Sequence, residues 1–146
     1  MKKIKLENQM IVPVFTLLQE LSLKAKASRG RNQFIKRLEE KSQEFNEALT
    51  EIRKEYFEVD ADGELKSENG KYIYKDLSKE NELNKRIEEL NEELFEINFG
   101  EYSTKYEAMF EALDSTEEEL SGQKAFAYNE LMDAYEANEN KKEEEK

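Results

Sequence analysis

The stretch Ser28–Phe57, SRGRNQFIKRLEEKSQEFNEALTEIRKEYF, constrains this chain more than any other. Apolar side chains return at Phe34, Leu38, Phe45, Ala48 or Leu49, Ile52 and Tyr56, in steps of three, four or seven. An α-helix repeats every 3.6 residues, so those positions share one stripe. Ser28 stands where an N-cap is wanted, because its hydroxyl can accept from a first-turn N–H. At about 1.5 Å per residue the helix is a rod of roughly 43 Å. A compact chain of this length has a radius of gyration of only about 15 Å. The rod therefore crosses the whole molecule or projects from it.

Only 37% of the 146 residues are apolar and 40% are charged, a balance that suits long, partly exposed helices. The length is that of one domain with a real core. No apolar run approaches the roughly 18 residues of a membrane span. The opening MKKIKLEN carries lysines, but Ile11–Leu18 is interrupted by Pro13 and Thr16 and no small-residue cleavage site follows. A cytoplasmic chain, at least at synthesis, is expected. With no Cys there is neither disulfide nor thiolate chemistry.

Charge is unevenly placed within the net −12. Residues 1–75 hold 15 Lys and Arg against 13 Asp and Glu, whereas residues 76–146 hold 8 against 22. Such an acidic second half argues against a simple nucleic-acid binder.

Taken in order, Lys2–Glu7 alternates Ile4 and Leu6 with charged neighbours and reads as a short strand. Asn8 is expected to cap a helix over about Gln9–Leu23, with Pro13 near its first turn. Residues 22–28 form the joint to the long helix. After Phe57, Asp62-Gly63 and Asn69-Gly70 are turn signals that demand positive φ, and Tyr72, Ile73 and Tyr74 follow the second. They predict a β-hairpin. Ser78 is expected to cap a third helix with Leu83, Ile87, Leu90 and Leu94 in heptad steps, a pattern that packs antiparallel on the long helix.

Beyond it, Phe95, Ile97 and Phe99 alternate with polar residues and read either as a strand pairing with Lys2–Glu7 or as continued helix. Tyr106, Met109, Phe110 and Leu113 mark a short helix, and Ser115–Glu118 has the form of a capping box. A last helix from Ser121 to about Ala137 uses Phe126, Tyr128, Leu131, Met132 and Tyr135. The predicted fold is thus mainly α with a small β component. Its centre is a long antiparallel helical hairpin with a β-hairpin at the tip, joined by a short N-terminal strand and C-terminal helices. Residues 1–137 form one elongated domain, and residues 138–146 a charged tail that is disordered or a frayed helix end.

Three features bear on chemistry. Lys24, Lys26, Arg29, Arg31, Lys36, Arg37 and Lys41 face only Glu39 and Glu40 within 18 residues. Near a helix N-terminus such cations can hold an anion, and Arg29 and Arg31 can fork onto a carboxylate or phosphate. The plainer expectation is an internal clamp onto the acidic C-terminal helices, ahead of docking to an acidic protein and, last, nucleic acid. The second feature, Glu58–Asn69, has the middle of an EF-hand loop, with Asp60, Asp62 and Gly63 in place. It carries Glu58 at position 1 and Asn69 at position 12, where calcium needs Asp and a bidentate Glu. A hairpin tip built on Asp60, Asp62, Gly63, Asn69 and Gly70 explains it without a metal. Third, spaced acids on helices can imitate DNA phosphates, although a solvated face is the ordinary meaning. Without His, Cys, a phosphate loop or a nucleophile motif, no enzyme and no cofactor are expected.

KIKLEN with its following apolar helix, LSLKAKASRGRNQF, the DADG…ENG hairpin and the late ELSGQKA…YNELMDAYE segment resemble a small uncharacterised family. Tailed phages of Gram-positive bacteria encode it, often near tail and lysis genes. The resemblance covers most of the chain and brings no catalytic residues with it. It implies a viral accessory or tail-associated protein, present in the cytoplasm of the infected cell or built into the virion. Its partner would be a phage structural protein or a host protein, with self-association an open alternative. Direct contact with nucleic acid or membrane is not expected. The alternative function is an acidic inhibitor of a host-defence nuclease.

Overall fold

The computed structural model describes residues 2–144, with side chains through Asn138. Strand β1 (Lys3–Glu7) pairs antiparallel with Leu94–Asn98, here β4, placing Ile4 opposite Ile97 and Leu6 opposite Phe95. Those four side chains are buried, whereas Lys3 and Lys5 on the other face reach Glu96 at 3.3 and 3.6 Å. The period-two pattern thus resolves the ambiguity over residues 95–99 in favour of the strand.

The main core gathers β1 and β4, α1 (Ile11–Glu20), the first half of α2 (Ala25–Tyr56), α4 (Ser103–Asp114) and α5 (Gly122–Glu144). No charged side chain occurs from Asn8 to Gln19, which suits α1 to burial of Ile11, Val14, Leu17 and Leu18. An aromatic group fills the centre. Phe34 meets Tyr106 edge-on at 5.8 Å, and Phe110 stacks on Tyr135 at 4.3 Å. Helices α2 and α4 come closest at Gly30, where an added Cβ would lie 2.2 Å from the Lys105 carbonyl oxygen. Only glycine permits that approach.

The second half of α2 leaves this core and packs with α3 (Glu80–Glu92) as the antiparallel pair that the heptads predict. A separate small core joins them, with Tyr56, Phe57 and Leu83 buried and Ile52, Leu65, Tyr74 and Ile87 packed around them. Arg86 pairs with Glu55 across the two helices. Strands β2 (Ser67–Glu68) and β3 (Lys71–Tyr72) form the hairpin at the tip.

Several local expectations are corrected. Helix α2 starts at Ala25 behind Lys24, so Ser28 lies inside the first turn and its hydroxyl accepts from Arg31 at 3.1 Å. Asn8 begins a single 3-10 turn ahead of α1, and its side chain donates to the Leu90 carbonyl at 2.9 Å. It therefore closes the end of α3. Because α3 stops at Glu92, Leu94 starts β4 on the outward face and is 60% exposed. Residues 115–121 are not helical, and the Ser115 hydroxyl instead donates to the Glu111 carbonyl at the end of α4. Phe126 faces away from the core at 55% exposure. The backbone of α5 is helical through Glu144, into the stretch read as a tail, while residues 145 and 146 lie outside the described residues.

Candidate functional site

Two surfaces carry the residues singled out by sequence. The first is the stalk tip, residues 57–76. Phe57–Val59 is flanked on both sides: Glu58 N–H donates to the Ile73 carbonyl at 2.8 Å, and Lys66 N–H donates to the Glu58 carbonyl at 2.9 Å. Bridges Phe57–Tyr74 and Val59–Leu65 complete a miniature sheet. Asp60 shapes the first turn, its Oδ1 accepting from Asp62 N–H at 2.9 Å and Glu64 N–H at 3.0 Å, with Gly63 at φ 80°. Asn69 (φ 53°) and Gly70 (φ 78°) form the second, both in the left-handed region that a tight hairpin turn needs.

The Asp60 carboxylate is thus committed to backbone, and among the described residues no three acids converge into a cation-binding set. What the tip does present is an aromatic and acidic surface. Tyr72 lies against Phe57 at 5.2 Å and under the Arg53 guanidinium at 5.7 Å, yet remains 42% exposed. Leu77, immediately after this segment, is 66% exposed, and Asp62, Glu64 and Glu68 are exposed as well. Two groups are shifted in their titration. Burial raises the Tyr74 hydroxyl, with Glu80 adding to it, and hydrogen bonds from Ser78 hold Asp76 below the usual carboxylate range. Sequence reasoning missed Arg53, Arg86 and Leu77. For Arg86 the signal was available, since Glu55 and Arg86 face each other once the two heptads are paired.

The second surface is the basic island, and the structure divides it. Arg31 turns inward, donating to the Leu18 carbonyl at 3.4 Å and to the Leu21 carbonyl, so it closes the end of α1. Arg37 pairs with Glu40 at 3.0 Å and Lys41 with Glu44 at 3.7 Å, both along α2 itself. Glu40 raises the Arg37 pKa, chiefly through that hydrogen bond. Lys24, Lys26, Arg29 and Lys36 are exposed and have no carboxylate within pairing distance among the described residues. No member of the island reaches a described acid of α4 or α5. Those helices are tied down elsewhere, by Lys2 with Glu107 and Lys124 with Glu20.

Along α2, at about 1.5 Å per residue, Lys41 at the near end of the island stands roughly 24 Å from Phe57 and Lys24 at the far end about 50 Å. Island and tip are two surfaces on one rod, not one site.

A family of proteins of unknown function, DUF1617, matches residues 2–144. The chain belongs to DUF1617. The match takes in both cores, the stalk and the tip. It agrees with the resemblance to an uncharacterised family spanning most of the chain. No curated protein and no solved structure matched.

Proposed function

We propose that this DUF1617 chain is a phage-encoded interaction protein without catalytic activity. Its α2–α3 stalk presents the tip to a structural protein of the tail or to an assembly intermediate. The observation that carries the reading is the second core at Tyr56, Phe57 and Leu83. It seats a small aromatic platform at the end of the α2–α3 pair, apart from the main core. Burial of these side chains stabilises the helix pair itself, and a docking surface benefits further because pre-ordered aromatic contacts lose little conformational entropy on binding. The motif resemblance to phage-encoded proteins supports the viral setting. The acidic second half supports the runner-up, an inhibitor that occupies the DNA site of a host nuclease.

The test pairs virion composition with a tip variant. Mass spectrometry of gradient-purified virions from a phage encoding this chain should find the protein. The double variant Tyr72→Ala/Leu77→Ala should remove it from virions while leaving the melting temperature of the main core unchanged. Absence from virions and from tail-assembly intermediates overturns the reading. Salt-sensitive competition with DNA for a host nuclease would replace it with the inhibitor.

A further inference from the structure

The outward face of α2 is a polar ridge, basic at Arg29 and Lys36, acidic from Glu39 to Glu51 and basic again at Lys54. Buried Ala27, Gly30, Phe34 and Leu38 define the inward face. At helical spacing the opposite face carries Arg29 and Lys36 in its first half and Glu40, Glu47 and Glu51 in its second, with Lys26 at its margin. All six are exposed. The sorting runs against the helix's own preference, because cations near an N-terminus oppose the macrodipole. The first turn of α2 has no acid, and Lys24 makes no side-chain cap. Among the described residues Lys26, Arg29 and Lys36 also have no carboxylate within pairing distance.

The geometry points to an antiparallel homodimer in which this ridge packs on the same ridge of a second copy, about a two-fold axis at the level of Leu38. In an antiparallel pair, facing positions sum to a constant. An axis at that level sets Arg29 opposite Glu47 of the other copy and Lys36 opposite Glu40. Lys26 then falls within one residue of Glu51. Gln33 faces Gln43, a neutral pair that can exchange amide hydrogen bonds. Each contact occurs twice, as a closed two-fold interface requires. The partner's acids also come to lie at the N-terminus of α2, where the macrodipole favours them. This interface is independent of the tip: losing tip docking leaves it intact, and losing it leaves the tip exposed.

A polar ridge makes a weak, dissociable dimer, so the test is sedimentation velocity from about 1 µM to about 1 mM. Wild-type protein should shift from 17.3 kDa toward twice that mass across this range. Among these six positions R29E/K36E leaves Lys26 as the one cation and E40K/E47K leaves Glu51 as the one acid, and each should raise the dissociation constant at least about tenfold. Mixing the two should restore a heterodimer. The quadruple variant R29E/K36E/E40K/E47K exchanges the charges at unchanged net charge and should dimerise like wild type. E40K/E47K lowers the net negative charge, so general repulsion alone would predict stronger association. Stronger association there, a wild type that stays monomeric throughout, or a mixture that fails to pair overturns the proposal. Far-UV circular dichroism confirms that each variant is folded, and all four positions are surface sites.

Discussion

The amide of Asn138 grips the backbone of Lys3 from both sides: its Nδ2 donates to the Lys3 carbonyl and its Oδ1 accepts from the Lys3 N–H. One side chain on the last helix thereby satisfies the open edge of the first strand. Removing it leaves an edge N–H and C=O without partners. Asn138→Ala should cost about 1–3 kcal/mol, since each net hydrogen bond contributes roughly 0.5–1.5 kcal/mol. Asn138→Asp should cost at least as much, because a carboxylate cannot donate to the Lys3 carbonyl. Urea denaturation of the three proteins measures the differences.

Gly30→Ala separates packing from propensity. In an isolated helix the change stabilises by about 1 kcal/mol. Here the new methyl would meet the Lys105 carbonyl at 2.2 Å, and that atom belongs to the backbone of α4. Forcing the helices apart should cost about 2–4 kcal/mol overall. A melting temperature equal to or above wild type would show that α2 and α4 do not cross as described.

Arg31 and Arg29 are neighbours in the island with opposite duties. Arg31→Ala strips the donors from the carbonyls of Leu18 and Leu21 and should lower stability by roughly 1.5–3 kcal/mol. Arg29→Ala should stay within about 0.5 kcal/mol of wild type, as exposed substitutions do. Thermal melts of the two single variants test this. Equal effects would refute the division of the island.

The tip should open before the rest. Its core is small and joined to the main one only through α2 and α3, so its amides should exchange at lower free energy than those of α4. Gly70→Ala places a methyl in a left-handed turn at φ 78°, at a cost of about 1–2 kcal/mol. Hydrogen exchange should show faster opening across residues 57–76 with α4 and β1 unaffected.

Acid should loosen the outer face of the strand pair. A hydrogen bond from Lys3, with Lys3 and Lys5 charges adding, holds Glu96 below its usual pKa, and Ser78 does the same for Asp76. A depressed folded pKa means stability that is present above the ordinary carboxylate range and lost as pH falls through the folded value. Melting temperature should therefore decline below about pH 4. Glu96→Gln should flatten part of that decline, and an unchanged slope in this variant would discount the Lys3 and Lys5 contacts.

The parts of the fold written in short-range periodicity were legible. The strand at Ile4 and Leu6, the Asn69-Gly70 turn and the heptads of α3 follow from spacing, whereas residues 95–99 stay open between strand and helix until pairing with β1 decides them. The buried set Tyr106, Met109, Phe110 and Leu113 follows from spacing as well. What failed depended on partners distant in sequence. Ser28, Asn8, Ser78 and Ser115 each look like N-caps, but Lys24, α3, Asp76 and the end of α4 claim those positions or side chains instead. Leu94 and Phe126 fit helical stripes, yet the first begins an outward strand position and the second faces solvent. The basic island was legible as a cluster, while its division into a helix clamp, internal pairs and free cations was not. Which carbonyls Arg31 meets depends on where α1 ends.

A single uninterrupted helix belongs to both cores, and this makes α2 a lever. Between Gly30 and Tyr56 it spans about 39 Å at roughly 1.5 Å per residue. A pivot of about 5° where it crosses α4 would carry Tyr72 and its neighbours through some ~3 Å, by that same rise. The fulcrum is the glycine contact, and the displaced end is the aromatic platform. Whatever presses on one end of the beam is felt, as angle, at the other.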